Sequence, residues 1–307
     1  MIELDLTLLN QSYAQRLNWY PPIANPQQPA QRISGIADIL DQIDLVLLDS
    51  YGVLCRGAVA IEGAVDAIAQ IRTSNTPLCV VSNDTMTNRR VAAEKYQQRG
   101  FDFAGEEVIT SLDMTEKWLA EIDQPERWGY IGPQPHPSDV LLKGMVNLTA
   151  CDGVIPAEVD HLLFLVSLGW TEQMQHNLNQ SAQGRQFTLV AGNPDMGAPY
   201  ATDQGIKVGA TPGYFMHQLV AATHQQAIPL LHGKPGQAIF EAAAKQFKVT
   251  DPSRVLMVGD TLYTDILGGN AMGFKTLLLE CGIYQGLNIE QLIAESGISP
   301  NFIAPQL

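Results

Sequence analysis

Short, wholly apolar runs, each ending in a polar or glycine-bearing turn, punctuate this chain. Leu45-Val-Leu-Leu48 leads into Asp49-Ser-Tyr-Gly52, and Leu78-Cys-Val-Val81 into Ser82-Asn-Asp84. Phe187-Thr-Leu-Val-Ala191 leads into Gly192-Asn-Pro-Asp195, Val255-Leu-Met-Val258 into Gly259-Asp-Thr261, and Thr276-Leu-Leu-Leu279 into Glu280-Cys-Gly282. Segments with helical spacing lie between them, at Ala64–Arg72, Asn88–Arg99, Tyr214–His224, Gly236–Phe247 and Ile266–Met272. Strands apolar on both faces, alternating with helices, predict an α/β fold: a doubly wound parallel sheet covered on both sides. In such a sheet a ligand binds beyond the carboxyl ends of the strands, where these polar clusters fall.

The rhythm changes twice. Residues 1–40 are polar, and Tyr20-Pro-Pro-Ile-Ala-Asn-Pro-Gln-Gln-Pro29 cannot continue a helix, so this stretch reads as an N-terminal arm. Ile33–Ile43 has apolar spacing suited to a helix. From about Leu112 to Gln186 a helix at Asp113–Ile122 precedes Arg127-Trp-Gly-Tyr-Ile131, a further helix, His161-Leu-Leu-Phe-Leu-Val166 and an amphipathic Thr171–Gln183. The expected division is a core of residues 41–112 and 187–307, with a smaller α/β cap, 113–186, inserted into it and the chain rejoining the core sheet at Phe187.

Composition narrows the function. With 18 Lys and Arg against 32 Asp and Glu, the formal charge is −14, a field that disfavours nucleic acid and anionic membranes. The longest apolar run, Leu162–Val166, is far short of the ~20 residues of a membrane span. Cys55, Cys79, Cys151 and Cys281 form no Cys-x-x-Cys pair, which fits a reducing cytoplasm better than a zinc or disulfide scaffold. The N-terminus has no basic region of the kind that opens a secretory signal.

The candidate chemistry sits at the strand ends. Asp49 follows Leu48 directly, and Asp260 and Asp265 follow another strand at the same edge. Three converging carboxylates need a cation, and an oxygen-only donor set suits Mg²⁺ rather than zinc. Lys234, in His232-Gly-Lys-Pro235, offers a compensating charge, while Ser82 and the N–H groups of Asn83 and Asp84 offer donors to an anion at a helix start. Each piece alone is an ordinary cap or turn. Their order at successive strand ends is what carries the argument.

In that order the segments Leu45–Gly57, Cys79–Asn88, Ala191–Asp195, Gly233–Pro235 and Val255–Gly273 resemble the motifs of the haloacid dehalogenase superfamily of hydrolases. The resemblance is to class IIA, close to NagD-like and p-nitrophenylphosphatase-like members, and it covers the chain from about Ile43 onward. It implies a Rossmann-like hydrolase core with an inserted cap, and a Mg²⁺-dependent cytoplasmic phosphatase acting on a small phosphorylated metabolite such as a sugar phosphate. It implies that Asp49 is the nucleophile forming an aspartyl-phosphate, that Ser82 and Lys234 bind the phosphoryl group, and that Asn83, Asp84, Asn193 and Asp195 meet substrate. It assigns the metal to Asp49, Asp260, Asp265 and the backbone carbonyl of Tyr51, and implies a homodimer.

One position departs from the pattern. Phosphatases of this superfamily usually carry an Asp two residues after the nucleophile as general acid and base; here Tyr51 stands there. A missing acid–base group costs typically ~10²–10⁴-fold, and a phenol of pKa about 10 is a poor base while neutral. Two other readings therefore stand beside a slow phosphatase. One is a catalytically silent protein that binds a phosphometabolite. The other is a haloacid dehalogenase-type hydrolase, in which Asp-x-Tyr-Gly recurs but the cap lies between the first two motifs.

Overall fold

The computed structural model describes residues 2–202, 205–224 and 226–307. Its main sheet has seven parallel strands in the order Gln31–Arg32, Phe302–Ala304, Lys275–Leu279, Val255–Gly259, Leu45–Leu48, Leu78–Ser82 and Val108–Thr110. The apolar runs are central strands because both faces are covered. Val46, Leu48, Val80 and Val258 pack into one hydrophobic cluster, while their neighbours Leu45, Leu47, Cys79, Val81 and Met257 pack into another on the opposite face. The doubly wound α/β expectation holds.

A second sheet, also parallel, has five strands in the order Leu230–Leu231, Thr188–Ala191, His161–Phe164, Trp128–Ile131 and Val146–Asn147. This is the cap, and it corrects the expected boundary at Phe187. Thr188–Ala191 pairs with His161–Phe164 in register, so the chain stays in the cap through Leu231 and returns to the core only at the Lys234 segment. A strand apolar on both faces fits either sheet equally well, and only long-range pairing decides between them.

Two helix expectations also fail. Ile33–Ile43 forms two tight 3₁₀ turns, Ile36–Asp38 and Leu40–Gln42, which still bury Ile36, Ile39 and Ile43. The Asp38 carboxylate accepts from the N–H and hydroxyl of Ser34, at 2.8 and 2.7 Å, and closes the first turn locally. Between Ile131 and His161 there is no helix; Pro133, Pro135 and Pro137 bar one at its start.

The N-terminal stretch is more than an arm. Glu3–Leu4 adds an antiparallel strand to the hairpin Gly197–Thr202/Gly205–Ala210 that extends from the cap, and Gln31–Arg32 completes the edge of the core sheet. The helix Leu6–Ala14 between them, capped by the Asp5 carboxylate on the Thr7 N–H, buries Leu9 and Tyr13. Tyr13, Trp19 and Tyr20 join cap residues such as Phe164 and Phe215 and core residues such as Tyr263 and Tyr284 in one cluster. No helix of the described residues is long and apolar enough to cross a membrane.

Candidate active site

Asp49 stands at the tip of the strand Leu45–Leu48, its N–H donating to the Val258 carbonyl at 2.9 Å, which fixes it to the neighbouring strand that leads to Asp260. After Asp260 the chain makes a π-type turn, Leu262–Ile266, that brings Asp265 back beside it. One oxygen each of Asp49, Asp260 and Asp265 lies within 4.8 Å of the others. Asp260 and Asp265 are buried.

Glycines make room for this cluster. Gly52 has φ +84°, and a Cβ there would sit 1.8 Å from Asp260 Oδ2; one on Gly282 would sit 2.2 Å from the same oxygen. That oxygen accepts from the Ile283 N–H at 2.7 Å, and Asp260 Oδ1 accepts from the Thr261 hydroxyl at 2.9 Å. Asp265 Oδ2 accepts from the Thr261 N–H at 3.2 Å.

Lys234 lies across the cluster, its ammonium 2.5 Å from Asp49 Oδ1 and 2.7 Å from Asp265 Oδ1, with only 2% of the side chain exposed. Burial opposes its charge, yet Asp265 and Asp49 together hold its pKa above the ordinary lysine value. Burial pushes Asp265 up to about 6 against the pull of Lys234. Burial, then repulsion from Asp49 and Asp265, drives Asp260 well above the carboxylate range. One ammonium does not neutralise three carboxylates. A hard divalent cation at this oxygen-only set would, and the donor chemistry fits Mg²⁺.

Ser82 is buried at the end of the next strand, its hydroxyl oxygen accepting from the Asp84 N–H at 3.2 Å. No helix starts here, contrary to expectation: the next one, Arg89–Gln98, is capped six residues on by Asn88. The Ser82–Asp84 loop is held by its own turns instead, with Asp84 Oδ1 accepting from the Met86 N–H at 2.6 Å and Oδ2 from the Thr87 hydroxyl.

Asn83, whose N–H is the group expected to meet substrate, has its buried side chain bonded to the protein. Its Nδ2 donates to Asp195 Oδ1 at 2.8 Å and to the Lys234 carbonyl at 2.9 Å, and its Oδ1 accepts from the Lys234 N–H at 2.7 Å. It is a tie between three motif segments. Asn193 Oδ1 accepts from the Asp195 N–H at 2.9 Å, a turn that aims Asp195 toward the site. Burial raises Asp195 to about 7, against Lys234 and Asn83, which act to lower it.

These groups line one cavity of about 180 Å³: Asp49, Tyr51, Ser82, Asp84, Asn193, Asp195, Lys234 and Asp260 are all on its wall, as is Asn83. Thr85, Thr261, Thr264 and the hairpin residues Gly197, Ala198 and Pro199 complete it. The hairpin residues carry no chemical signal in sequence and were not anticipated. Tyr51 is 38% exposed; burial and the nearby Asp84 raise its phenol further above 10, while Arg99, hydrogen-bonded to it, opposes. Of the weaker sequence candidates, His232 is buried against the Thr115 hydroxyl, 3.0 Å away, and burial takes it down to about 4. Arg56 and Arg89 are engaged elsewhere, with the Cys281 carbonyl and with Asp113.

The result is a two-domain α/β protein with a carboxylate–lysine site at the strand ends of its core, roofed by a cap inserted between the Ser82 and Lys234 segments. Two family models match the chain, a haloacid dehalogenase-like hydrolase model over residues 46–144 and a HAD-hydrolase-like model over residues 231–307. The chain belongs to the haloacid dehalogenase-like hydrolases. It is 28% identical to the glycerol-3-phosphate phosphatase of Gallus gallus, the match covering 86% of this chain and 89% of that one. It is 25% identical to the chloroplastic phosphoglycolate phosphatase 1A of Arabidopsis thaliana, over 90% of this chain and 79% of that one. Its fold matches that of a possible sugar phosphatase from Cytophaga hutchinsonii with a TM-score of 0.75 at 22% identity, covering 90% of this chain and 98% of that one.

Proposed function

We infer that this chain, a phosphoric monoester hydrolase, cleaves a small phosphomonoester through an aspartyl-phosphate on Asp49. The observation that carries the reading is the Asp49–Lys234–Asp265 contact beside Asp260, one buried cation among three carboxylates at the mouth of a small cavity. Asp49, Asp260 and the Tyr51 carbonyl would hold Mg²⁺, with Asp265 supporting that shell. The ion, when bound, supplies positive charge against which two anions can approach.

The residues divide the work as follows. Asp49 Oδ attacks phosphorus while the P–O bond to the alcohol breaks. Lys234 orients that oxygen and draws charge from the transferring phosphoryl group, and the Ser82 hydroxyl donates to it. The departing alkoxide needs a proton. Tyr51, protonated across the working range, can donate one but is a poor base toward the water that later attacks the aspartyl-phosphate. Slow turnover at that second step follows.

The test is phosphate release from p-nitrophenyl phosphate and a set of small phosphomonoesters, with and without Mg²⁺, for the wild type, Asp49→Asn and Tyr51→Asp. Mg²⁺-dependent release that Asp49→Asn abolishes is expected, with a gain of ~10²-fold or more in Tyr51→Asp. A silent wild type that nevertheless binds phosphate in a Mg²⁺-dependent way would favour the binding-protein reading, for which Tyr51 is the specific observation.

A further inference from the structure

Resting on that reading, we propose that the site selects phosphomonoesters whose leaving alcohol is short, hydroxylated and uncharged, and that it rejects those whose alcohol bears a carboxylate. The relatives named above include enzymes for each kind. The walls of the cavity distinguish between them.

Size comes first. A cavity of about 180 Å³ is below the ~300 Å³ at which pockets for drug-sized ligands begin, so a phosphoryl group leaves room for only a short alcohol. Charge decides the rest. Four carboxylates line the space, those of Asp49, Asp84, Asp195 and Asp260, and Lys234 is its only cationic side chain among the described residues. Lys234 is already committed to Asp49 and Asp265. Beyond the phosphoryl position the wall is made by Tyr51, Asp84, Thr85, Asn193, Asp195 and the hairpin residues Gly197 to Pro199.

Among the described residues no second cation lines that wall. The nearest, Arg99, is held by the protein, hydrogen-bonded to the Tyr51 hydroxyl with its guanidinium 3.5 Å from Cys55 Sγ. Arg56 is bound to the Cys281 carbonyl and to Gln285 Oε1, and Arg89 to Asp113. His136 is buried with its Nε2 3.0 Å from the Thr85 carbonyl and its Nδ1 accepting from the Ser138 N–H at 3.1 Å, and burial lowers its pKa. Met1, Asp203, Gln204 and Gln225 bring no basic side chain of their own.

A carboxylate placed here would face Asp84 with no cation to pair it, and a site that leaves a charge unpaired rejects its bearer strongly. Hydroxyls have the opposite experience. Asp84 and Asp195 retain acceptor capacity beyond their hydrogen bonds to Met86, Thr87 and Asn83, so each can take a donor from a polyol.

The test measures kcat/KM of the full chain with Mg²⁺ on glycerol 3-phosphate, 2-phosphoglycolate, 3-phosphoglycerate and p-nitrophenyl phosphate. Glycerol 3-phosphate is expected to exceed both carboxylated esters by ~100-fold or more. Ala198→Arg, which sets a guanidinium on the hairpin wall, should narrow that gap at least tenfold. Carboxylated esters turned over as fast as glycerol 3-phosphate would overturn the proposal. So would a folded Ala198→Arg protein with an unchanged ratio, its fold checked by its melting temperature. Silence on all four substrates, p-nitrophenyl phosphate included, would instead overturn the phosphatase reading beneath it.

Discussion

Replacing Asn83 separates a structural tie from a substrate ligand. The side chain is 5% exposed and joins the Asp195 carboxyl and both backbone groups of Lys234, with the Ser111 hydroxyl donating to its Oδ1 at 3.3 Å. Asn83→Leu preserves the volume and removes every one of these bonds. A buried polar group left without a partner costs about 1–3 kcal/mol. With Asp195 left out for its partial access to solvent, the other three, the Lys234 N–H and carbonyl and the Ser111 hydroxyl, give a loss of about 3–9 kcal/mol, a large fraction of the ~5–15 kcal/mol that holds a typical protein folded. Urea unfolding should show this as a lower midpoint at unchanged slope. Asn83→Asp sharpens the argument, because it places a second carboxylate against Asp195 where the amide nitrogen now sits at 2.8 Å. The two can share a proton at pH 5 but not at pH 8, so that variant should lose more stability at the higher pH. A loss under ~1 kcal/mol in Asn83→Leu, together with a raised KM, would refute the reasoning and assign the Asn83 side chain to substrate.

Three further outcomes follow. Gly52→Ala should abolish Mg²⁺-dependent activity and lower the melting temperature, since its Cβ would meet Asp260 Oδ2 at 1.8 Å on a backbone of φ +84°; activity and Mg²⁺ titration of the purified variant check this. Asp195, raised to about 7 in the folded chain against ~3.9 unfolded, contributes stability that is complete below ~3.9 and is lost as pH rises through 7. The change is on the order of 4 kcal/mol at most, and Asp195→Asn, which keeps an acceptor for Asn83, should flatten the metal-free stability profile between pH 4 and 7 and melt higher at pH 8. Tyr13→Phe should destabilise by about 1–3 kcal/mol by leaving the Met196 N–H without its acceptor, measured by urea unfolding.

What the sequence discloses and what it hides divide along physical lines. Asp49, Ser82 and Asp260 are legible because each closes or follows an apolar segment whose strand character is local, and the strand direction then places their side chains at one edge, whereas Lys234 follows the cap strand Leu230–Leu231 and is read from its Gly-Lys-Pro segment alone. The role of Asn83 is not legible, since its partners Asp195 and Lys234 lie 112 and 151 residues away. Gly52 announces a turn, but its need to be a glycine comes equally from Asp260, packed against it from another strand. Thr188–Ala191 has the composition of a core strand and sits in the cap, because sheet membership is settled by pairing with His161–Phe164 and not by the residues of the strand itself. The prolines after Ile131 were a readable warning against a helix there.

The N-terminal stretch shows how far local reading falls short, and what it costs to ignore a segment that carries no motif. The Tyr13 ring stacks on Tyr263 at 4.9 Å with the planes 3° apart, and Tyr263 lies in the turn between Asp260 and Asp265. The Tyr13 hydroxyl meanwhile accepts from the N–H of Met196, the residue after Asp195, at 3.0 Å. One side chain therefore touches both the turn of the core between Asp260 and Asp265 and the loop that carries Asp195. Glu3–Leu4 adds the pairing with the cap hairpin, and at the opposite corner the Thr85 hydroxyl donates to the Leu165 carbonyl at 2.6 Å. A cap fastened this way cannot swing from the core as a free body without breaking an aromatic stack, a strand pairing and buried hydrogen bonds together. The segment without a motif thus bears on the spacing of the two walls of the site.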